Sequence, residues 1–340
     1  MKKTLFSILL STSIVGVNYA QSTNLDRNYV NFQYVNLPSR PIEDSNLRTY
    51  FVDSNLDAIN KSNFANKMVL AGFQKKENPD DASLNILLSL DKINIRKIDV
   101  SEQKYEREGK DGQKEIIYEY TPYISYGTKA NLRINSKINE GTSFTYGRDL
   151  NNYYGPSNYN YSKAKEYIEL NYQRIVNDIQ EKFISETINS SAHVVNNYYA
   201  YPTYNENINF WILASKKHPE YENHQNVFTQ IKNLVSKIKA HESLEPLKNE
   251  LTPIETYLLD VLSKYPDDKK PHKKIRYATY YNLAQLYLIF DMPEKAIEMG
   301  DKIIANDYDT RDGKKFKEEA EKLIHLMKIN HTKTRHFSVK

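Results

Sequence analysis

The 340-residue sequence sets 47 Lys and Arg against 43 Asp and Glu, a formal charge of +4, and carries 28 Tyr and no Cys. Charge so evenly interleaved offers no basic face for a nucleic acid, and without Cys there are no disulfides, thiolate nucleophiles or thiolate metal sites. With 39% apolar residues the chain can build a core, its length calls for two domains, and the many Tyr favour edges, grooves and interfaces.

The chain opens Met1-Lys2-Lys3, continues with an apolar stretch from Leu5 to Val17, and reaches Asn18-Tyr19-Ala20-Gln21. A charged start, a short apolar middle and a small residue before a cut describe a secretory signal peptide over residues 1–20. Removing Lys2 and Lys3 lowers the charge from +4 to +2. No Cys follows the cut to take a lipid, and no later segment is long and apolar enough to span a bilayer. The expectation is a soluble exported protein, periplasmic or secreted, and not a lipoprotein.

Residues 21–47 read as a polar leader punctuated by Pro38 and Pro41, with one alternating strand over Val30 to Val35. An α+β domain is expected over 48–210, with a mixed or antiparallel sheet and helices. Its predicted elements are a strand at Arg48 to Val52, a helix from Leu56 to Ala71 capped by Asp53 or Ser54, and a strand from Leu84 to Ile95. Further strands are expected at Glu115 to Tyr126, Lys129 to Ile138 and Thr142 to Tyr146. A helix over Tyr161 to Ile188 and a last strand within Val194 to Phe210 complete it. An all-α domain is expected over 226–330, with helices at Val227–Ala240, Pro253–Lys264, Lys274–Phe290, Pro293–Asn306 and Lys314–Lys328, and residues 331–340 form a tail. Thr252-Pro253-Ile254-Glu255 has the composition of a helix start.

Tyr280, Leu283, Ala284 and Tyr287 on one predicted helix and Ala296 on the next resemble a tetratricopeptide repeat, with Gly300 and Ile303 departing from the usual aromatic and Ala. The resemblance implies a helical domain that binds a protein or peptide and no catalysis; the surface expected is the concave face beside Tyr280 and Tyr287, or the groove between domains. The order of Arg48 to Val52, the following helix, Gly72-Phe73, Pro79-Asp80 and a strand is similar to the TolB-like envelope domains, which implies assembly or interaction in the envelope.

Nothing in the sequence carries a reaction motif: there is no HExxH, nucleophile elbow, phosphate loop or dinucleotide fingerprint. No catalytic residue, cofactor site or metal site is therefore assigned. His218 and His224 near Glu220 and Glu222 encode no inner-shell spacing, and in the calcium-loop-like run from Asp307 to Gly313 Tyr308 takes the first acidic position. Two passages echo each other, Asn151-Asn152-Tyr153-Tyr154 and Asn196-Asn197-Tyr198-Tyr199. As turns they would pack Tyr against the helical domain, or stack on a sugar and bond its hydroxyls. The function expected is a non-enzymatic binding or scaffold protein of the bacterial cell envelope, its protein partner held by the helical domain; the alternative is a glycan-binding or glycan-processing protein using Tyr153, Tyr154, Tyr198 and Tyr199.

Overall fold

The computed structural model describes residues 23–108 and 111–339, so the signal segment lies outside the described residues. The chain is α+β and its described residues form two compact units, one of Gln33–Tyr204, Lys239–Ser243 and 325–339, the other of 23–32, Asn205–Ile238 and Leu244–Ile324. Two strands, β1 (Leu25–Val35) and β8 (Thr203–Leu213), pair as a ribbon and run through both.

The sheet unit is built on β2 (Thr49–Ser54), β3 (Gln74–Lys75), β4 (Leu84–Leu90), β5 (Asn94–Glu108), β6 (Lys114–Ser136) and β7 (Thr142–Tyr154). β2 pairs parallel with β3 and β4, and the ladders of β4, β5 and β7 with β6 are antiparallel, so the sheet is mixed. Ile86, Leu132 and Ile134 alternate onto one face and are fully buried, with α1 (Ala58–Lys67) and α2 (Tyr161–Tyr199) above them. Each such side chain contributes about 1.5–3 kcal/mol of burial.

Several elements differ from the sequence-based expectation. Asp57 caps α1, accepting from the Ile59 and Asn60 N–H, so the helix begins later than a cap at Asp53 or Ser54 would give. Leu84 to Ile95 is not one strand: the run breaks after Leu90 where a polar Asp91-Lys92 interrupts it, and β5 is the hairpin partner of β6. Glu115 to Tyr126 and Lys129 to Ile138 merge into the single strand β6, because a register slip between Tyr126 and Thr128 absorbs the change of phase. The last expected strand of this domain begins instead as helix: α2 runs 39 residues to Tyr199, its buried stripe continuing through Ile184, Ile188, Val195 and Tyr199. Along that length, roughly 58 Å at 1.5 Å per residue, it covers two separate core clusters.

The supposed leader and tail are both structured. Ile42 joins the main core and Val35 is fully buried, while the Val35 N–H donates to Arg335 O at 2.8 Å and the Asn330 amide donates to Pro38 O at 2.8 Å.

The other unit contains α3 (Tyr221–Val235), α4 (Glu245–Lys264), α5 (Lys270–Ile289), α6 (Pro293–Asn306) and most of α7 (Thr310–Ile329). It is not all-α, since β1 up to Phe32 and β8 from Asn205 belong to it. Pro253 does not start a helix: α4 begins at Glu245, and its buried side chains Leu251, Ile254, Leu258 and Val261 carry the stripe through the proline. The cost of the missing N–H is met by burial on both sides of it. The Gly300 that departs from the repeat pattern has a packing role. A Cβ there would lie 2.9 Å from Gly313 O, and one on Gly313 would lie 2.5 Å from Gly300 O, so α6 and α7 cross backbone to backbone.

Candidate functional site

Within the helical unit, α5 holds an extended strand along one side. Tyr277, Tyr281, Asn282 and Gln285 fall four, one and three residues apart, a spacing that places them on neighbouring turns. The Asn282 side chain pairs with the main chain of Trp211 in β8 as another strand would: the Trp211 N–H donates to Asn282 Oδ1 at 2.8 Å and Asn282 Nδ2 donates to Trp211 O at 2.8 Å. The Tyr281 hydroxyl donates to Asn209 Oδ1 at 3.1 Å, and Gln285 Nε2 reaches Asn209 O at 3.5 Å. The Trp211 ring lies 6.1 Å from both Tyr277 and Tyr281, with the Arg27 guanidinium 4.6 Å over it. Asn282 is 2% exposed, so its amide must bond inside the fold. Asn282→Ala leaves both Trp211 backbone groups without partners and is expected to cost about 2–3 kcal/mol, read by urea unfolding.

The ribbon so held has one open edge. The Ala214 N–H donates to Asn24 O at 2.8 Å and the Asn36 N–H to Pro202 O at 2.9 Å, an antiparallel register that turns even-numbered β1 residues toward β8. The amides of odd-numbered residues turn outward, where, among the described residues, the Arg27 N–H is met by the Asp26 side chain (2.8 Å) and the Tyr29 N–H by the Asn28 side chain (2.9 Å). Tyr29 is 53% exposed. Short polar side chains folded onto their own backbone are a way of blunting an edge that pairs with no other strand.

The aromatic residues singled out in the sequence have divided fates. Tyr287 is buried and its hydroxyl donates to Glu255 Oε1 at 2.5 Å, with Lys295 bonded to the same oxygen at 3.0 Å and lying over the ring. Burial and the Glu255 hydrogen bond push the Tyr287 phenol far above its ordinary range. Burial opposes ionisation of Glu255, yet the hydrogen bonds from Tyr287 and Lys295 hold its carboxyl below the usual carboxylate range. This linkage ties α4, α5 and α6 together. Tyr280 is half-buried.

Neither Tyr/Asn passage is a turn. Asn151 to Tyr154 lies in β7, where strand alternation sends Tyr153 to the α2 side with Ile124 and Ile168, while Tyr154 pairs with Tyr123 on the other face at 6.1 Å between rings. Asn196 to Tyr199 is the last turn of α2, with Tyr199 fully buried and Tyr198 packed edge-on to Phe144. The two passages resemble each other only in composition, and the structure does not bring them into one site. His218 and His224 are buried, and among the described residues no group of three His, Asp or Glu side chains is placed to hold a metal ion.

Sequence reasoning missed the strand seat. The signal available was Asn282 itself, an amide between Tyr281 and Leu283 in the middle of an otherwise buried helical stripe, where Asn is retained only if something bonds to it.

Among the described residues no helix is long and apolar enough to cross a membrane. No protein-family model and no curated protein matches the chain. Among solved structures it is similar to a minor lipoprotein from Acinetobacter baumannii at 12% identity, a match covering 46% of this chain and 96% of that one with a TM-score of 0.20.

Proposed function

We propose that the chain is an exported, non-enzymatic binding protein of the bacterial cell envelope, and that its helical unit, built from tetratricopeptide-like hairpins, recognises a protein partner through the ribbon it holds. Export follows from the charged and apolar start of the sequence. Small residues at the crossings, Ala284 and Ala296 fully buried and Gly300 against Gly313, support the resemblance of the hairpins.

The observation that carries the reading is the outer edge of β1, where, among the described residues, the Arg27 and Tyr29 amides are met by the Asp26 and Asn28 side chains. An extended segment of a partner protein would replace the Asp26 and Asn28 side chains and add a strand, gaining main-chain hydrogen bonds for affinity and side-chain contacts for selectivity. The seat on α5 keeps that edge straight. At the concave face expected from the sequence, the Tyr287 hydroxyl is bonded to Glu255.

Tyr29→Pro tests the proposal, because it deletes an outward N–H while leaving the β8 ladder intact. Affinity capture from envelope extracts with the mature protein should recover a partner that the variant loses, and hydrogen exchange of the complex should show new protection at Arg27 and Tyr29. Equal capture by the variant, with no new protection on β1, would place the partner elsewhere.

A further inference from the structure

The sheet unit contains a groove of about 840 Å³ between α2 and the β6–β7 ladder, inside the roughly 300–1,000 Å³ range of small-ligand clefts. It exists because of a bulge. Tyr126 pairs with Asn151 but Thr128 pairs with Arg148, so β7 carries one extra residue at this point. Gly147 makes the slip possible: its φ is +103°, and a Cβ on it would lie 2.1 Å from Thr128 O. The extra residue reverses the phase of β7, so Tyr146 before the bulge and Tyr153 after it share the face toward α2.

Rings form the floor. Tyr126, Tyr146 and Tyr153 are each half-buried, and Tyr126 and Tyr153 border the Ile175 and Ile179 side chains of α2. The rim is charged and exposed, with Asp178, Lys182 and Glu186 one turn apart along α2 and Arg148 facing them from β7. Asp178 is paired with Arg174 at 3.1 Å. Lys182, Glu186 and Arg148 enter no ion pair among the described residues. Burial and then the Glu186 charge raise the Tyr126 phenol.

The charged side chains lining the groove are two cations and two carboxylates, with Asp178 shared by Arg174 outside it, so neither sign dominates the rim. A ligand that suits every part of this surface is neutral, presents flat C–H faces to the Tyr rings, and carries hydroxyls for the carboxylates and for the Asn151 amide. Ring stacking supplies area and the ionised acceptors supply the stronger hydrogen bonds. We propose that the groove between α2 and the β6–β7 bulge binds a neutral oligosaccharide. The proposal concerns the sheet unit and stands or falls independently of the β1 edge.

Calorimetric titration of the full chain with tri-N-acetylchitotriose, maltotriose and cellotriose tests it, with trigalacturonate as the charged comparison. At least one neutral trisaccharide should bind, with an affinity that does not change between low and high salt. Glu186→Gln, a change at an exposed position, should weaken that binding about tenfold, the worth of one hydrogen bond to an ionised acceptor. Absence of heat with all three neutral sugars at millimolar concentration, preferential binding of trigalacturonate, or unaltered binding by Glu186→Gln would each overturn the assignment.

Discussion

Gly147→Ala is expected to lower the stability of the sheet unit by about 3 kcal/mol or more, because two costs coincide at one position. The backbone there has φ +103°, outside what an L side chain adopts without strain, and the added methyl carbon would begin 2.1 Å from Thr128 O. A main-chain oxygen cannot rotate away as a side chain would. Either the β6–β7 ladder shifts or the bulge is lost, and a register without the bulge would exchange the faces of the residues beyond it. Urea unfolding followed by far-ultraviolet circular dichroism should show the lower midpoint. Gly112, also at positive φ (+77°) but with nothing within 4 Å of its added carbon, is the control: its alanine variant should lose only the smaller conformational cost.

Acid is expected to destabilise the helical unit well above the pH at which carboxylates protonate. His224 on α3 is 3% exposed, neither ring nitrogen has a hydrogen-bond partner, and burial with the nearby His218 lowers its pKa to about 4. Facing it is the Tyr257 ring from α4, 6.5 Å away; the His218 charge acts on it, and its main-chain N–H donates to Glu220 O at 2.8 Å. Glu220 is committed elsewhere, accepting from Tyr257 at 3.1 Å and from Lys264 at 3.1 Å. The unfolded chain takes up a proton on this imidazole near its ordinary value of 6.5, whereas the folded chain does so only near 4. Stability from this residue is therefore complete above about pH 6.5 and falls as pH drops toward 4, by about 3 kcal/mol in all. Burial lowers the His218 pKa as well, in the same direction. His224→Leu should flatten the pH dependence of the unfolding midpoint across that window, since an apolar side chain suits a site that offers no hydrogen bond.

What could be read from the sequence depended on whether a local signal stood alone. The α+β class and the α6 boundaries, Pro293 to Asn306, were legible because Pro293 opens the helix and the apolar spacing is regular up to Asp307. The reach of α2 was not, because Asn196-Asn197-Tyr198-Tyr199 has poor helical propensity; the burial of Val195 and Tyr199 decides it, and the Asn196 side chain bonds back to Ala192 O at 2.8 Å. Likewise Thr252-Pro253 reads locally as a beginning, while the stripe from Leu251 to Val261 reads through it. Tyr153, singled out by composition, lines the groove beside Tyr126 and Tyr146, which come from other stretches of chain that carry no such compositional signal. The bulge that brings them together depends on pairing between strands and leaves only two glycines, Gly127 and Gly147, as its trace in the sequence.

The sheet unit draws Val35 and Pro38 from its beginning and Asn330 and Arg335 from its end, joined by direct hydrogen bonds. At equilibrium so long a closure costs little more than a short one, since the entropy grows only with the logarithm of length. In time it is different. A chain made amino terminus first delivers the segment around Val35 early and must hold it unfinished until Asn330 and Arg335 have followed. The seal of the sheet unit therefore closes late in synthesis, and the interval before it is when this unit is most open to a protease.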